Sequence, residues 1–166
     1  MSDAEQLTAL ARVNELFEAN EIEYWLFGGW AVDFHAGLVT RTHDDLDIAV
    51  WAEDHKRIAT LLAADGWAHS PEQGEDGYTG YQRGSVRLEL AFLARAANGQ
   101  IHTPLREGGR AAWPDKAFGA EVAELRGIHA AVISLQALRA DKAEVRDDSV
   151  VAAKDRADSL TLSRIR

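Results

Sequence analysis

Apolar residues recur at two spacings along the chain, and each spacing predicts a different kind of element. Behind Ser2-Asp3-Ala4-Glu5, which has the form of a capping box, they follow a helical period, so a first helix should end near Asn20. The same period covers residues 30–36, closed by Gly37, and residues 53–65. It returns from Ser134 onward, which predicts a helical C-terminal portion.

Alternation of apolar and polar residues predicts strands between these helices. Residues 78–83 and 85–93 should form a hairpin turned at Gly84, preceded by a polar loop at residues 70–77 that contains Gly74. Other strands are expected at residues 23–27, 45–51, 101–103, 121–126 and 128–132. The chain therefore predicts an α+β fold.

Three carboxylates are expected to point away from the core. In the strand at 45–51, Asp45 and Asp47 share one face, and the apolar residues that alternate with them share the other. Both carboxylates should look into open space, whereas Asp44 should lie on the core side and is excluded as a ligand. Glu89 points away from the buried face of its own strand in the same way.

This set of carboxylates suits the transfer of a nucleotidyl group. In that reaction a hydroxyl attacks the α-phosphorus of a nucleoside triphosphate and pyrophosphate departs, and two magnesium ions can clamp the attacking and leaving oxygens. Asp45 and Asp47 would bridge both ions. Glu89, from a neighbouring strand, is the candidate third ligand and could take the proton of the acceptor hydroxyl.

A glycine pair upstream predicts where the phosphates would bind. Gly28-Gly29 lies between a strand and a helix, where the backbone can approach phosphates closely and the first helical amides add positive character. Trp30 follows directly and is a candidate nucleotide neighbour. Arg41 is the nearest guanidinium for the phosphates, and His43 could touch either a phosphate or the first aspartate of the pair.

Each of these features also has a plain structural interpretation. The glycine pair could be only a tight turn, the two aspartates could be solvated charge, and Glu89 beside Arg87 could be an ion pair on an exposed face. Their order and short separation favour the functional interpretation, because the glycine pair, the aspartate pair and Glu89 would otherwise occur together only by coincidence.

Composition limits the other classes of function. The chain has 166 residues, 46% of them hydrophobic, which fits a single domain over residues 1–166 with its helical portion at about 134–166. It has no cysteine, no apolar run that could span a bilayer and no signal-peptide pattern, so a cytoplasmic location is expected. A net charge of −9 argues against a nucleic-acid partner. A triphosphate stays compatible, because bound cations would offset its charge.

One stretch of the chain resembles a known group of enzymes. The residues that carry the resemblance are Tyr24-Trp25-Leu26-Phe27-Gly28-Gly29-Trp30-Ala31-Val32-Asp33, then Gly37, Arg41, His43 and Asp45-Leu46-Asp47. They resemble the antibiotic nucleotidyltransferases of the DNA polymerase beta superfamily, first the small lincosamide nucleotidyltransferases and then the aminoglycoside adenylyltransferases. The resemblance implies a minimal nucleotidyltransferase fold, in which helices flank a mixed twisted sheet and further helices form the C-terminus.

The resemblance also implies an activity and its residues. It implies magnesium, a nucleoside triphosphate donor such as ATP, and the hydroxyl of a small antibiotic, first of all a lincosamide, as acceptor. Asp45 and Asp47 match the metal-binding pair, Glu89 falls at the third acid and Gly28-Gly29 match the phosphate-binding turn. Lys154, followed by Asp155 and Asp158, resembles a C-terminal helix motif whose lysine approaches the phosphates. The third acid is often aspartate in this group, and Glu89 is longer by one methylene.

Three other hypotheses stay open at this point. The acceptor could be an aminoglycoside, or the chain could be a minimal nucleotidyltransferase antitoxin that acts on a protein partner. An inactive binding module that keeps only the fold is the third, and the complete set of Asp45, Asp47 and Glu89 argues against it. A homodimer is compatible with each of them, because a small domain can need a second subunit to wall a drug pocket.

Overall fold

The computed structural model describes residues 2–72 and 76–166, so part of the loop predicted at 70–77, including Gly74, lies outside the described residues. The helices are α1 Asp3–Ala19, α2 Gly28–Ala36, α3 His55–Ala64, α4 Leu135–Lys142 and α5 Ser149–Ser163. The strands are β1 Tyr24–Phe27, β2 Leu46–Trp51, β3 Ala68–His69, β4 Tyr78–Arg83, β5 Val86–Arg95, β6 Ile101–Pro104, β7 Arg110–Ala112, β8 Val122–Leu125 and β9 Ile128–Ala131. The short strands β3 and β7 were not predicted, and none of the described helices is long and apolar enough to cross a membrane.

Strands β1 to β7 form the mixed sheet that the resemblance implied, and β8 and β9 pair separately as an antiparallel two-stranded sheet. The order of the mixed sheet is β1-β2-β5-β4-β3, with β6 on the far end of β5 and β7 beyond it. Strands β2 and β5 run parallel, and the other pairs in this sheet are antiparallel. The α+β prediction is therefore confirmed, and the parallel pair brings together two strands that are separated in sequence by α3, β3 and β4.

Local signals fix most element ends as the sequence predicts. Ser2 and Glu5 make both reciprocal hydrogen bonds of a capping box at the start of α1. Gly37 ends α2 in the left-handed conformation, and Gly84 turns the β4–β5 hairpin with φ of +58°. The glycine pair at 28–29 differs from the prediction, because it forms the first turn of α2 and does not precede the helix.

The face of β2 that carries the aspartates is not open along its length, as the alternation had suggested. Ala49 on that face is fully buried, as are the apolar residues of the opposite face. Trp25 is the register partner of Ala49, and its ring packs 5.1 Å from the ring of Phe118. A later segment of the chain thus covers the middle of this face, and the end of β2 that carries Asp47, with Asp45 just before it, borders a cleft.

The placement of Asp44 on the core side is wrong. Strand β2 begins at Leu46, so the alternation of strand side chains does not extend back to residue 44. The Asp44 side chain is 75% exposed and forms an ion pair with Lys154 of α5. The position of Asp44 therefore does not exclude it as a ligand.

Candidate active site

Most of the predicted site residues line one cleft. The cleft has a volume of about 140 Å³ and lies between the start of α2, the segment entering β2, and helices α4 and α5. We call it the carboxylate cleft, and its predicted members are Gly28, Gly29, Arg41, His43, Asp45, Asp47 and Lys154. Trp30 and Glu89 are the two predicted residues outside its lining.

The carboxylates of β2 and β5 lie on the same face of the sheet. Asp47 and Glu89 are register partners in the parallel pair, so their side chains are lateral neighbours. Burial, together with the charges of Asp45 and Glu89, raises the pKa of Asp47 well above its ordinary value. Burial and the charge of Asp44 raise the pKa of Asp45. Like charges this crowded are what a bound divalent cation would relieve.

The chemistry of these ligands fits magnesium, although the third carboxylate is engaged elsewhere. Carboxylate oxygens are the ligands that magnesium prefers. Within residues 2–72 and 76–166, no group of three or more His, Asp or Glu side chains is already arranged to hold a metal ion. Glu89 instead accepts a hydrogen bond from Nε of Arg87 at 2.5 Å. Asp45 and Asp47 would therefore hold the metal, with Glu89 adjoining them.

The glycine pair lets these groups approach the start of α2. Gly28 has φ of +69°, and a Cβ atom there would collide with Oδ2 of Asp47. A Cβ atom on Gly29 would collide with Nη2 of Arg41 and lie 2.5 Å from Nδ1 of His43. Because glycine has no side chain, the first turn of α2 can lie directly against Asp47, Arg41 and His43.

We expect Gly28→Ala to lower both stability and nucleotidyl transfer. The left-handed backbone would cost about 1 kcal/mol in unfolding free energy, and the new methyl group would displace the Asp47 carboxylate. Chemical denaturation and initial rates would measure the two effects. Gly99→Ala is the matched control, because Gly99 has φ of +88° and open space around it. If both variants lose only stability, Gly28 has no role in the site.

One arginine and two lysines enter the cleft, and each is paired with an acid of the chain. Arg41 donates to both carboxylate oxygens of Asp158, at 2.8 and 2.9 Å, and Lys154 pairs with Asp44. Lys142, at the end of α4, lies 3.1 Å from Asp158. Lys142 was missed from the sequence, where it belongs to no motif. It reaches the cleft only because α4 packs beside α5.

His43 and Trp30 have contacts that the sequence did not indicate. Nε2 of His43 lies 2.5 Å from the carboxylate of Asp33, which also accepts a 2.5 Å hydrogen bond from Thr40. The Trp30 ring is 1% exposed and packs 4.4 Å from the His43 ring. The prediction that the Trp30 side chain flanks a nucleotide therefore does not fit, because the ring is part of the core. Asp33 was quoted in the motif, but its partnership with His43 was not foreseen.

A wider groove elsewhere lacks this chemistry. It has a volume of about 670 Å³ and lies between α1 and the β4–β5 hairpin, where Glu5, Arg12 and Arg83 are among its lining residues. None of the predicted site residues is among them. Volume alone would select this groove, whereas the convergence of acids, bases and glycines favours the carboxylate cleft as the candidate site.

Comparison with known proteins agrees with this geometry. The chain is 27% identical to a 2''-aminoglycoside nucleotidyltransferase of Klebsiella pneumoniae over 122 residues, which are 74% of this chain and 56% of the relative. The chain thus spans a little over half the length of the curated relative. It is 38% identical to a lincosamide resistance protein of Staphylococcus haemolyticus over 53 residues, about a third of each chain.

Two solved structures share the fold. Lincomycin-bound lincosamide antibiotic adenylyltransferase LnuA superposes with a TM-score of 0.76 at 22% identity, covering 100% of this chain and 99% of LnuA. ANT(2")-Ia in complex with adenylyl-2"-tobramycin superposes with a TM-score of 0.70 at 20% identity, covering 95% and 90%. The family model described as aminoglycoside-2''-adenylyltransferase matches residues 9–157. The resemblance to antibiotic nucleotidyltransferases is confirmed, and this chain belongs to the aminoglycoside-2''-adenylyltransferase family.

Proposed function

We propose that this chain transfers a nucleoside monophosphate from a nucleoside triphosphate, ATP first of all, to a hydroxyl of a small antibiotic. The observation that carries the proposal is the parallel register that puts Glu89 beside Asp47, at the end of β2 where Gly28 adjoins it. This arrangement puts acids for a metal next to a helix start for phosphates. Membership of the family supports the same activity.

The proposed reaction uses the chain's own groups in distinct roles. The acceptor oxygen forms a bond to the α-phosphorus while the bond from that phosphorus to the pyrophosphate oxygen breaks. The hydroxyl proton passes to a carboxylate, for which we propose Glu89. We propose that Asp45 and Asp47, with Glu89 as the third ligand, bind two magnesium ions, which when bound would neutralise phosphate charge and polarise the reacting oxygens.

Triphosphate binding would compete with the ion pairs of the cleft. We propose Arg41, Lys142 and Lys154 as phosphate contacts, together with Gly28 and Gly29. The volume of about 140 Å³ is smaller than the roughly 300–1,000 Å³ usual for ligand pockets. A nucleotide would therefore enter as phosphates replace the carboxylate partners of these cations, with a shift of α5 away from β2.

An aminoglycoside is the first acceptor to test. The family match supports it, because the matching model is described as aminoglycoside-2''-adenylyltransferase and covers residues 9–157. A lincosamide is the second candidate, because LnuA shares the fold over almost its whole length. This order reverses the one suggested by the sequence.

The decisive experiment measures transfer directly. The purified chain is incubated with each nucleoside triphosphate, Mg²⁺ and panels of aminoglycosides and lincosamides, and pyrophosphate release is followed. We expect release only with Mg²⁺ and a suitable acceptor, and a gain of one nucleoside monophosphate in the mass of that acceptor. Omission of the acceptor and addition of a chelator are the controls.

Other outcomes of that experiment would contradict the proposal. No transfer to any drug, combined with co-purification of a small helical protein partner, would support the antitoxin alternative. Absence of Mg²⁺-dependent triphosphate binding in calorimetry would support an inactive binding module.

Three expectations from the sequence stay predictions. We expect one domain over residues 1–166, a homodimer, and no nucleic-acid partner because of the net charge of −9. Light scattering would measure the mass in solution. A gel-shift titration at low salt, where electrostatic binding is strongest, would test for nucleic acid.

A further inference from the structure

We propose that Arg87 is a positioning residue for Glu89 and that Gly80 provides the space for it. The inference rests on the proposed function, because it assigns Glu89 to the metal and acceptor side of the reaction. Arg87 itself would touch neither substrate nor metal. It would act through Glu89 by restricting the directions in which that carboxylate can point.

The Arg87 guanidinium is fixed at both ends. Its Nε donates to Oε1 of Glu89 at 2.5 Å, and its Nη1 donates to the backbone carbonyl of Ser70 at 3.0 Å. The side chains of Arg87 and Glu89 are only 18% and 14% exposed. A planar fork held by a backbone carbonyl has little freedom to turn, so it transmits a defined direction to the acid it binds.

Gly80 makes this path possible. It is the register partner of Glu89 in the neighbouring strand β4. A Cβ atom on Gly80 would collide with Nη2 of Arg87 and lie 2.7 Å from the carbonyl oxygen of Ser70. The absence of a side chain therefore opens a channel across the strand, and the Arg87 guanidinium fills it.

The length of Glu89 gives this arrangement a purpose. A glutamate has one more rotatable bond than an aspartate, so its carboxylate samples more positions around Asp47 and loses more entropy when it is fixed. Arg87 would limit those positions before metal or substrate arrives. Groups that orient a metal ligand typically change metal affinity or activity by about 10–100-fold when they are removed.

The first test compares Arg87→Met and Arg87→Lys with the full wild-type chain. Arg83→Met is the matched control, because Arg83 lies at the end of β4 and pairs with Asp65 at 3.1 Å, outside the cleft. Calorimetry would measure the binding of Mg²⁺ with a non-reactive ATP analogue, and steady-state kinetics would measure kcat and KM for ATP. Thermal unfolding would verify that each variant is folded.

We expect Arg87→Met to weaken Mg²⁺ binding or lower kcat by about 10–100-fold with a smaller change in KM for ATP. Arg87→Lys should show most of the same loss, because a lysine cannot hold Glu89 and the Ser70 carbonyl in one plane. Arg83→Met should match the wild type. Unchanged binding and kcat in a folded Arg87→Met variant would make Arg87 a purely structural ion pair, and tighter Mg²⁺ binding would show that it competes with the metal. Either result overturns the proposal.

A double-mutant cycle with Glu89→Asp separates positioning from a general charge effect. If Arg87 acts through the long carboxylate, Arg87→Met should cost clearly less in the Glu89→Asp background. Equal costs in both backgrounds would contradict the inference. A wild-type chain that binds Mg²⁺ and triphosphate but transfers nothing would contradict the proposed function alone, and the calorimetric comparison would still decide on Arg87.

Discussion

Asp47→Asn is expected to lower kcat by on the order of 10³-fold, equivalent to about 4 kcal/mol of activation free energy. The substitution keeps the shape of the side chain and removes the charge that we propose holds the metal. Asp47 lies on the cleft side of β2, and its neighbours Leu46 and Ile48 form the core. The loss should therefore appear in the rate of transfer and not in folding.

The stability of this variant carries a second, independent expectation. Because burial and the charges of Asp45 and Glu89 raise the folded-state pKa of Asp47, ionising it opposes folding. The folded state favours protonated Asp47, so the free energy of unfolding of the wild type falls as the pH rises from the unfolded-state pKa of about 3.9 through the higher folded-state value. Without metal at neutral pH, Asp47→Asn should be at least as stable as the wild type. Added Mg²⁺ should raise the melting temperature of the wild type more than that of the variant.

Thermal melts with and without Mg²⁺, alongside initial rates, measure both effects. Glu53→Gln is the control, since Glu53 is an exposed acid just beyond the same strand. Unfolding of Asp47→Asn to the degree seen for a core substitution would show that the side chain is structural. Full activity would remove Asp47 from the proposed mechanism.

Asp158→Asn is expected to lower the free energy of unfolding by about 3 kcal/mol. The Asp158 side chain is 1% exposed and lies 2.8 Å from Arg41 and 3.1 Å from Lys142. The amide would leave two largely buried cations without their common partner, and this loss should loosen α5 from the segment that precedes β2. Asp147→Asn, at an exposed position ahead of the same helix, is the control.

The pH dependence of stability tests the same two ion pairs of Asp158. Burial alone would raise the pKa of Asp158, but the hydrogen bond from Arg41 and the charge of Lys142 outweigh it and lower the pKa. This stability is present above the unfolded-state pKa of about 3.9 and is lost as the pH falls through the lower folded-state value. Denaturation at neutral and at acidic pH should show that the free energy of unfolding falls less on acidification in Asp158→Asn than in the wild type. Identical curves would mean that the ion pairs contribute nothing measurable.

The sequence by itself determined most of the helices and strands and the direction of side chains within them. The capping box at Ser2, the turn at Gly84 and the alternation of Asp47 with Leu46 and Ile48 follow from local backbone geometry, which depends on neighbours within a few residues. Their prediction needed no knowledge of the rest of the chain. The same reasoning failed at Asp44, just outside the strand, because a periodicity has no meaning beyond the end of its element.

Only the tertiary structure decided how those pieces meet. Arg41 and Asp158 are 117 positions apart in sequence, and no local pattern records that α5 packs beside the start of β2. The same holds for Lys142 in the cleft and for the burial of Trp30 in the core. These contacts depend on which apolar surfaces exclude water together, and that is a property of the whole chain, not of any one segment.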